Sequence, residues 1–86
     1  MKEYTVYILR CADGTLYTGI TNDLAQRLDQ HNAGRGAKYT RGRVPVKLLY
    51  KETGFSRSTA LLREAAIKKM SVAAKKSLVN DAAKYK

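Results

Sequence analysis

Six polar residues of this 86-residue chain are of types that act on phosphate: Tyr7, Tyr17, Arg27, His31, Tyr39 and Glu64. A phenol orients a water molecule, a guanidinium grips phosphoryl oxygens, an imidazole titrates near neutrality, and a carboxylate holds a divalent cation. Each has an ordinary alternative. Tyr7 and Tyr17 fall in β-rich runs, where tyrosine is enriched anyway. Arg27 reads equally as a solvated helix arginine. His31 reads as a cap or surface histidine near a helix C-terminus, where a cation suits the dipole. Glu64 lies beside Ala60, Leu61 and Ile67 on its helix, a placement that costs energy unless the carboxylate has a partner. Lys68, four residues on, offers a plain ion pair. Taken singly, the ordinary readings of the tyrosines, Arg27 and His31 suffice, and Glu64 stays open between a salt bridge and a functional role.

Tyr39 sits in a segment with a clearer bias. Ala33 to Arg43 contains Gly34, Gly36 and Gly42 together with Arg35, Lys38, Arg41 and Arg43. Glycines mark a loop and let backbone amides face an anion. The four cations attract phosphate, and Tyr39 stacks or donates a hydrogen bond. A nucleic-acid backbone is the preferred partner of this loop over plain solvent.

The elements that must position these groups follow from the pattern. Tyr4 to Cys11 is a dense apolar run, expected as a central strand buried on both faces. Asp13-Gly14 is a hairpin turn signal, and Leu16 to Thr21 is the antiparallel partner. Gly19 allows close approach of another backbone or a ligand. Thr21-Asn22-Asp23 caps a short helix to Asn32. Val44 to Thr53 is a half-exposed edge strand, begun near Pro45 and ended by Gly54. Ser56 or Ser58 caps a well-packed helix to about Met70, and Ser71 caps a last helix from Val72 to Ala83. Tyr85-Lys86 is expected to fray. The result is an α+β fold, a small three-stranded antiparallel sheet flanked by helices in the order β-β-α-β-α-α.

Composition bounds the function. Eighty-six residues form one domain, residues 1–86, with one modest core. Seventeen Lys plus Arg against seven Asp plus Glu leave a net charge of +10. Such a field draws polyanions, nucleic acid first among them. Lys75, Lys76, Lys84 and Lys86 add to the basic surface. Cys11 is the single cysteine, so no internal disulfide forms. A thiol in an apolar run is a small core residue rather than a nucleophile. The start of the chain has no apolar signal region, and no run approaches the roughly 18–20 apolar residues of a membrane span. A cytoplasmic protein without a membrane partner is expected.

The six residues in order resemble the GIY-YIG nuclease superfamily. The first signature triplet aligns with Thr5-Val6-Tyr7 and the second with Tyr17-Thr18-Gly19. The family's helical arginine falls on Arg27, its frequent histidine on His31 and its metal-binding glutamate on Glu64. Tyr7-Ile8-Leu9-Arg10-Cys11, Gln30-His31-Asn32-Ala33-Gly34 and Gly36-Ala37-Lys38-Tyr39-Thr40 are similar to the small stand-alone members. They are also similar to the nuclease domain of the eukaryotic endonuclease that resolves branched DNA. Two departures stand out: Thr5-Val6 replaces the start of the first triplet, and Thr18 replaces the usual isoleucine or valine. Asn80 is the candidate for the family's late asparagine.

The resemblance implies a metal-dependent endonuclease hydrolysing DNA phosphodiester bonds, branched or damaged DNA included. Glu64 would bind one Mg²⁺ or Mn²⁺. Arg27 would hold a phosphoryl oxygen, and Tyr7 would position and deprotonate the attacking water. A free phenol with a pKa of ~10 is a poor base, so Arg27, His31 or the metal would have to lower it. Tyr17 would support Tyr7 or contact phosphate, His31 would relay the proton or bind the backbone, and Tyr39 would line the site from the Gly-rich loop. Two other readings are a non-catalytic nucleic-acid-binding module and a nuclease subunit that needs a protein partner for targeting.

Overall fold

The structure is a computed structural model that describes residues 3–84. Its elements are β1 (Tyr4–Arg10), β2 (Leu16–Thr21), α1 (Leu24–Asn32), β3 (Lys47–Phe55), α2 (Arg57–Lys68) and α3 (Val72–Lys84). The order is the expected β-β-α-β-α-α. The three strands form one antiparallel sheet in the order β2-β1-β3. The most apolar run takes the central place because only there are both strand edges paired and both faces covered. Val6, Tyr7, Ile8 and Leu9 are all buried.

Alternation along β1 divides the core in two. Val6 and Ile8 meet Ala60 and Ile67 of α2 on one face. Tyr7 and Leu9 point to the other, with Cys11, Val46 and the Leu24/Leu28 stripe of α1. Cys11 is a buried free thiol in that second cluster, as a core residue should be. Caps set the helix starts. Asp23 accepts from the Gln26 amide at 3.2 Å, and Ser56, not Ser58, accepts from Thr59 at 3.2 Å. Ser71 does the same for Ala74 at 3.1 Å.

Three expectations need correction. Gly54 does not end the third strand; it lies inside β3 with a φ of +90°. Two steps along β1, from Tyr4 to Val6, face three along β3, from Phe55 to Glu52. The extra residue is a bulge, and glycine supplies its left-handed backbone without strain. The start also moves, because Val44–Val46 stay outside the strand. Asn32 takes that segment instead, accepting from the Val46 amide at 2.7 Å and donating to its carbonyl at 3.4 Å. Finally, α2 is less enclosed than its composition suggests. Ala60 and Ile67 are buried, but Leu61 and Leu62 face outward. The expected fraying of Tyr85–Lys86 and the side chains of Lys84 and Lys86 lie outside the described residues. No described helix is long and apolar enough to cross a membrane.

Candidate active site

The α1-facing side of the hairpin holds the candidate groups other than Glu64, which α2 carries. Tyr7 pairs with Gly19 across the β1–β2 ladder, and Leu9 with Tyr17. Both tyrosines therefore project on one face, toward α1. A Cβ on Gly19 would sit 2.6 Å from the Tyr7 hydroxyl oxygen and 2.8 Å from the ring. The close approach expected at Gly19 is thus made by a side chain of the neighbouring strand.

His31 is buried, not a surface cap. Its Nε2 lies 3.0 Å from the Tyr7 hydroxyl and its Nδ1 2.8 Å from Thr40 Oγ1. The proton count settles the tautomer. Thr40 has one hydroxyl proton and donates it to the Ala37 carbonyl at 2.9 Å. Thr40 Oγ1 must then accept from Nδ1–H, which leaves Nε2 to accept from the Tyr7 hydroxyl. A relay runs Tyr7 O–H to His31 to Thr40 to the loop backbone. Gly36 makes room for it, because a Cβ there would lie 2.7 Å from His31 Cγ and 2.8 Å from its Cα.

Charge surrounds this relay. The Arg27 guanidinium lies beside the Tyr7 hydroxyl and is oriented by Gln30, whose Oε1 accepts from it at 3.1 Å. Burial pushes the Tyr7 phenol above its ordinary value; Arg27 opposes that rise without reversing it, and Tyr17 and Glu64 add to it. Arg27 lowers this phenol as expected, but not below its ordinary value, and His31 is not among the groups that lower it. The net direction is upward, since desolvation of a phenolate outweighs one guanidinium. Burial, then the Arg27 charge, holds His31 below its ordinary range and keeps the ring neutral.

That shift has a consequence for stability. Unfolded His31 regains a pKa of about 6.5 and binds more protons than the folded state as the pH falls. Its contribution is complete above the unfolded value and is lost as pH drops through the folded one. The urea midpoint should fall between about pH 7 and pH 5 in the wild type and stay flatter in His31→Gln. Equal slopes in the two proteins would contradict the assignment.

Tyr17 and Tyr39 extend the site outward. Their rings stack with centroids 5.9 Å apart, and Tyr17 meets His31 edge-on at 5.5 Å. The Gly-rich loop brings Tyr39 here, and Arg43 fastens that loop. Arg43 Nε donates to Asp13 at 2.9 Å, its NH1 to the Tyr39 carbonyl at 2.7 Å, and its guanidinium covers the Tyr39 ring at 4.2 Å. Arg43 is thus occupied by the fold. Arg41 Nε donates to the Gly36 carbonyl at 3.4 Å. Lys38 is exposed, and Arg35 lies against Gln26, Asp29 and Gln30 on α1. Asn80 lies apart from the tyrosines, in a cavity with Arg10, Leu49 and Lys76.

Glu64 projects from α2, near enough for its charge to act on Tyr7. Its side chain is about four-fifths buried, and Lys68 Nζ lies 3.5 Å from Oε2. The ion pair expected as the plain alternative is present, at a length that leaves the carboxylate loosely held. Glu52, also on the α2 side of the sheet, is not available. Arg63 grips it with two hydrogen bonds of 2.8 Å, and Tyr50 donates a third. Among the described residues no cluster of three His, Cys, Asp or Glu could cage an ion. A single carboxylate beside an anion site suits Mg²⁺, which keeps its waters and shares substrate oxygens.

Sequence reasoning missed four supports of this site: Thr40, Gly36, Gln30 and the placement of Lys68 near Tyr17. The first two lay in the segment Gly36–Thr40 that carried the resemblance. Its glycine and threonine mattered for a histidine nine residues from Thr40, a contact that spacing alone does not show.

Comparison with known proteins bears on the family and the fold. The GIY-YIG catalytic domain family model matches residues 3–77. The chain is 52% identical over 79 residues to UPF0213 protein NP_0776A of Natronomonas pharaonis, covering 92% of this chain and 93% of that one. It is 56% identical over 75 residues to UPF0213 protein DP2720 of Desulfotalea psychrophila, covering 86% and 68%. The solution structure of UPF0213 protein BH0048 from Bacillus halodurans matches with a TM-score of 0.59 and 42% identity, over 91% of this chain and 83% of that one. The solution structure of EF2693 from E. faecalis matches with a TM-score of 0.64 and 38% identity, over 94% and 86%. By sequence and by fold, this chain belongs to the GIY-YIG catalytic domain family.

Proposed function

We propose that this protein is a metal-dependent phosphodiesterase that cleaves nucleic acid, with DNA as the substrate. The observation that carries the reading is His31, held in one tautomer between Tyr7 and Thr40 with Arg27 alongside. Membership of the family supports a nucleic-acid substrate, and its nucleases generally depend on a divalent metal.

The chemistry follows from the groups. Arg27 binds a non-bridging phosphoryl oxygen and offsets charge that develops there. Glu64 would hold one Mg²⁺ or Mn²⁺, which when bound polarises the phosphate and stabilises the leaving oxygen. Tyr7 does not act as a preformed phenolate, because burial raises its pKa. Its oxygen instead takes the proton of the attacking water while its own proton passes to Nε2 of neutral His31. Thr40 keeps that nitrogen turned toward Tyr7. Tyr17 and Tyr39 wall the outer side.

The test is cleavage of duplex, branched, damaged and single-stranded DNA in Mg²⁺ or Mn²⁺. Wild-type protein should cut at least one substrate, and the Glu64→Ala protein should not. Equal rates for the two would end the proposal. One observation favours a second reading. Tyr7 is only 1% exposed, as expected if the relay merely stiffens a binding surface. In that case the +10 charge supports salt-sensitive binding without turnover, and Glu64→Ala leaves activity unchanged.

A further inference from the structure

We propose that Lys68 and Lys75 form a second phosphate subsite, beside the Glu64 centre, that holds a neighbouring phosphodiester of the bound strand. The inference deepens the nuclease reading and rests on it for the class of ligand. A groove of about 340 Å³ runs along the outer side of β2, lined by Leu16, Tyr17, Thr18, Tyr39, Lys68 and Lys75. β2 is an edge strand, so the groove lies outside the sheet and is open to a chain.

The lining selects an anion. Lysines from two different helices line it, Lys68 from α2 and Lys75 from α3, and no carboxylate does. Among the described residues Lys75 makes no ion pair, and Lys68 has only its 3.5 Å contact with Glu64, with half of its side chain exposed. Like charges lining one groove repel each other, and an anion between them offsets that repulsion. The aromatic rings are already engaged: Tyr17 stacks on Tyr39, and Tyr39 carries Arg43. A base therefore finds no free platform there, whereas a phosphate finds two point charges.

Lys68 also joins the groove to the candidate centre, with Nζ 3.5 Å from Glu64 and 6.0 Å from the Tyr17 ring centroid. A phosphodiester strand entering along β2 would meet Lys75 and Lys68 before reaching Glu64 and Arg27.

The test is binding of a short oligothymidylate, without divalent metal, across a salt series. Lys68→Gln and Lys75→Gln should each weaken binding several-fold at low salt and reduce the slope of log K against log salt by about 0.7. Lys47→Gln and Lys51→Gln, exposed on the opposite edge strand, should each have less effect. An oligothymidylate with neutral methylphosphonate linkages should erase the difference between wild type and the groove variants. Oligouridylate should behave as oligothymidylate does, since phosphate contacts carry no base information. Amide shifts of Leu16–Thr18 on titration would locate the strand in the groove. The proposal fails if the groove variants lose no more affinity than the β3 controls, or if the wild type binds neither strand. Cleavage plays no part in this measurement, so a binding groove on an inactive protein and an active protein without the groove are told apart.

Discussion

Tyr7→Phe should lower phosphodiester cleavage by about 10²- to 10⁴-fold, the range of a lost general acid–base group, while the fold survives. The ring stays, so its contacts with Tyr17 and His31 persist. Only the hydroxyl goes. His31 Nε2 then loses its donor, a stability change of about 1 kcal/mol. Paired measurement of rate and urea midpoint separates the two roles of Tyr7. A relay predicts a large drop in rate and a small shift in midpoint. A purely structural phenol predicts the small shift alone, with cleavage close to wild type. Oligonucleotide affinity should hold in either case, because Tyr7 is almost fully buried and offers a phosphate almost no surface.

Gly36→Ala should destabilise the protein by about 3 kcal/mol or more, at the upper end of overpacking effects. The added methyl would approach both the His31 ring and its backbone, with Cα only 2.8 Å away. A flexible side chain could swing aside, but a helix backbone cannot. Either the loop retreats or His31 leaves its place between Tyr7 and Thr40. Activity should fall with stability, and should not recover at low temperature, where the fold itself is populated. Gly42→Ala in the same loop is the control. Nothing lies within 4 Å of a Cβ there, so its midpoint should stay within about 0.5 kcal/mol of wild type. Equal stability for the two variants would show that the loop yields at Gly36 and that His31 does not depend on it.

The two predictions differ in how far they were readable in advance. Tyr7 was visible as a chemistry-bearing residue because a phenol in a strand has a type and a place. Gly36 was visible only as loop punctuation. Its importance comes from a contact with His31, which depends on where the loop folds back onto α1. The same holds for Thr40, whose hydroxyl sets the tautomer of His31. His31 itself changes character for this reason: helical spacing put it near a C-terminus, and the returning loop buried it. Arg43 shows the reverse case. Composition counted it with the phosphate-binding cations, and folding adds contacts with Asp13 and Tyr39 while leaving its side chain 38% exposed.

Local chemistry alone determined the strand and helix types, their order, the cap at Ser71, the caps of the other two helices to within two residues, and the central place of the Tyr4–Cys11 run. Those follow from short-range periodicity and from one run being more apolar than its neighbours. It also brought Tyr7, Tyr17, Arg27, His31, Tyr39 and Glu64 forward as a set, because residue type and order are sequence properties. Only the tertiary structure decided which of them touch. The bulge at Gly54 depends on the pairing of β3 with β1. The upward shift of Tyr7 depends on its burial, and the engagement of Glu52 on Arg63 reaching it from α2. Each is a relation between segments distant along the chain, and such relations exist only once the sheet has closed and the loop has settled against α1.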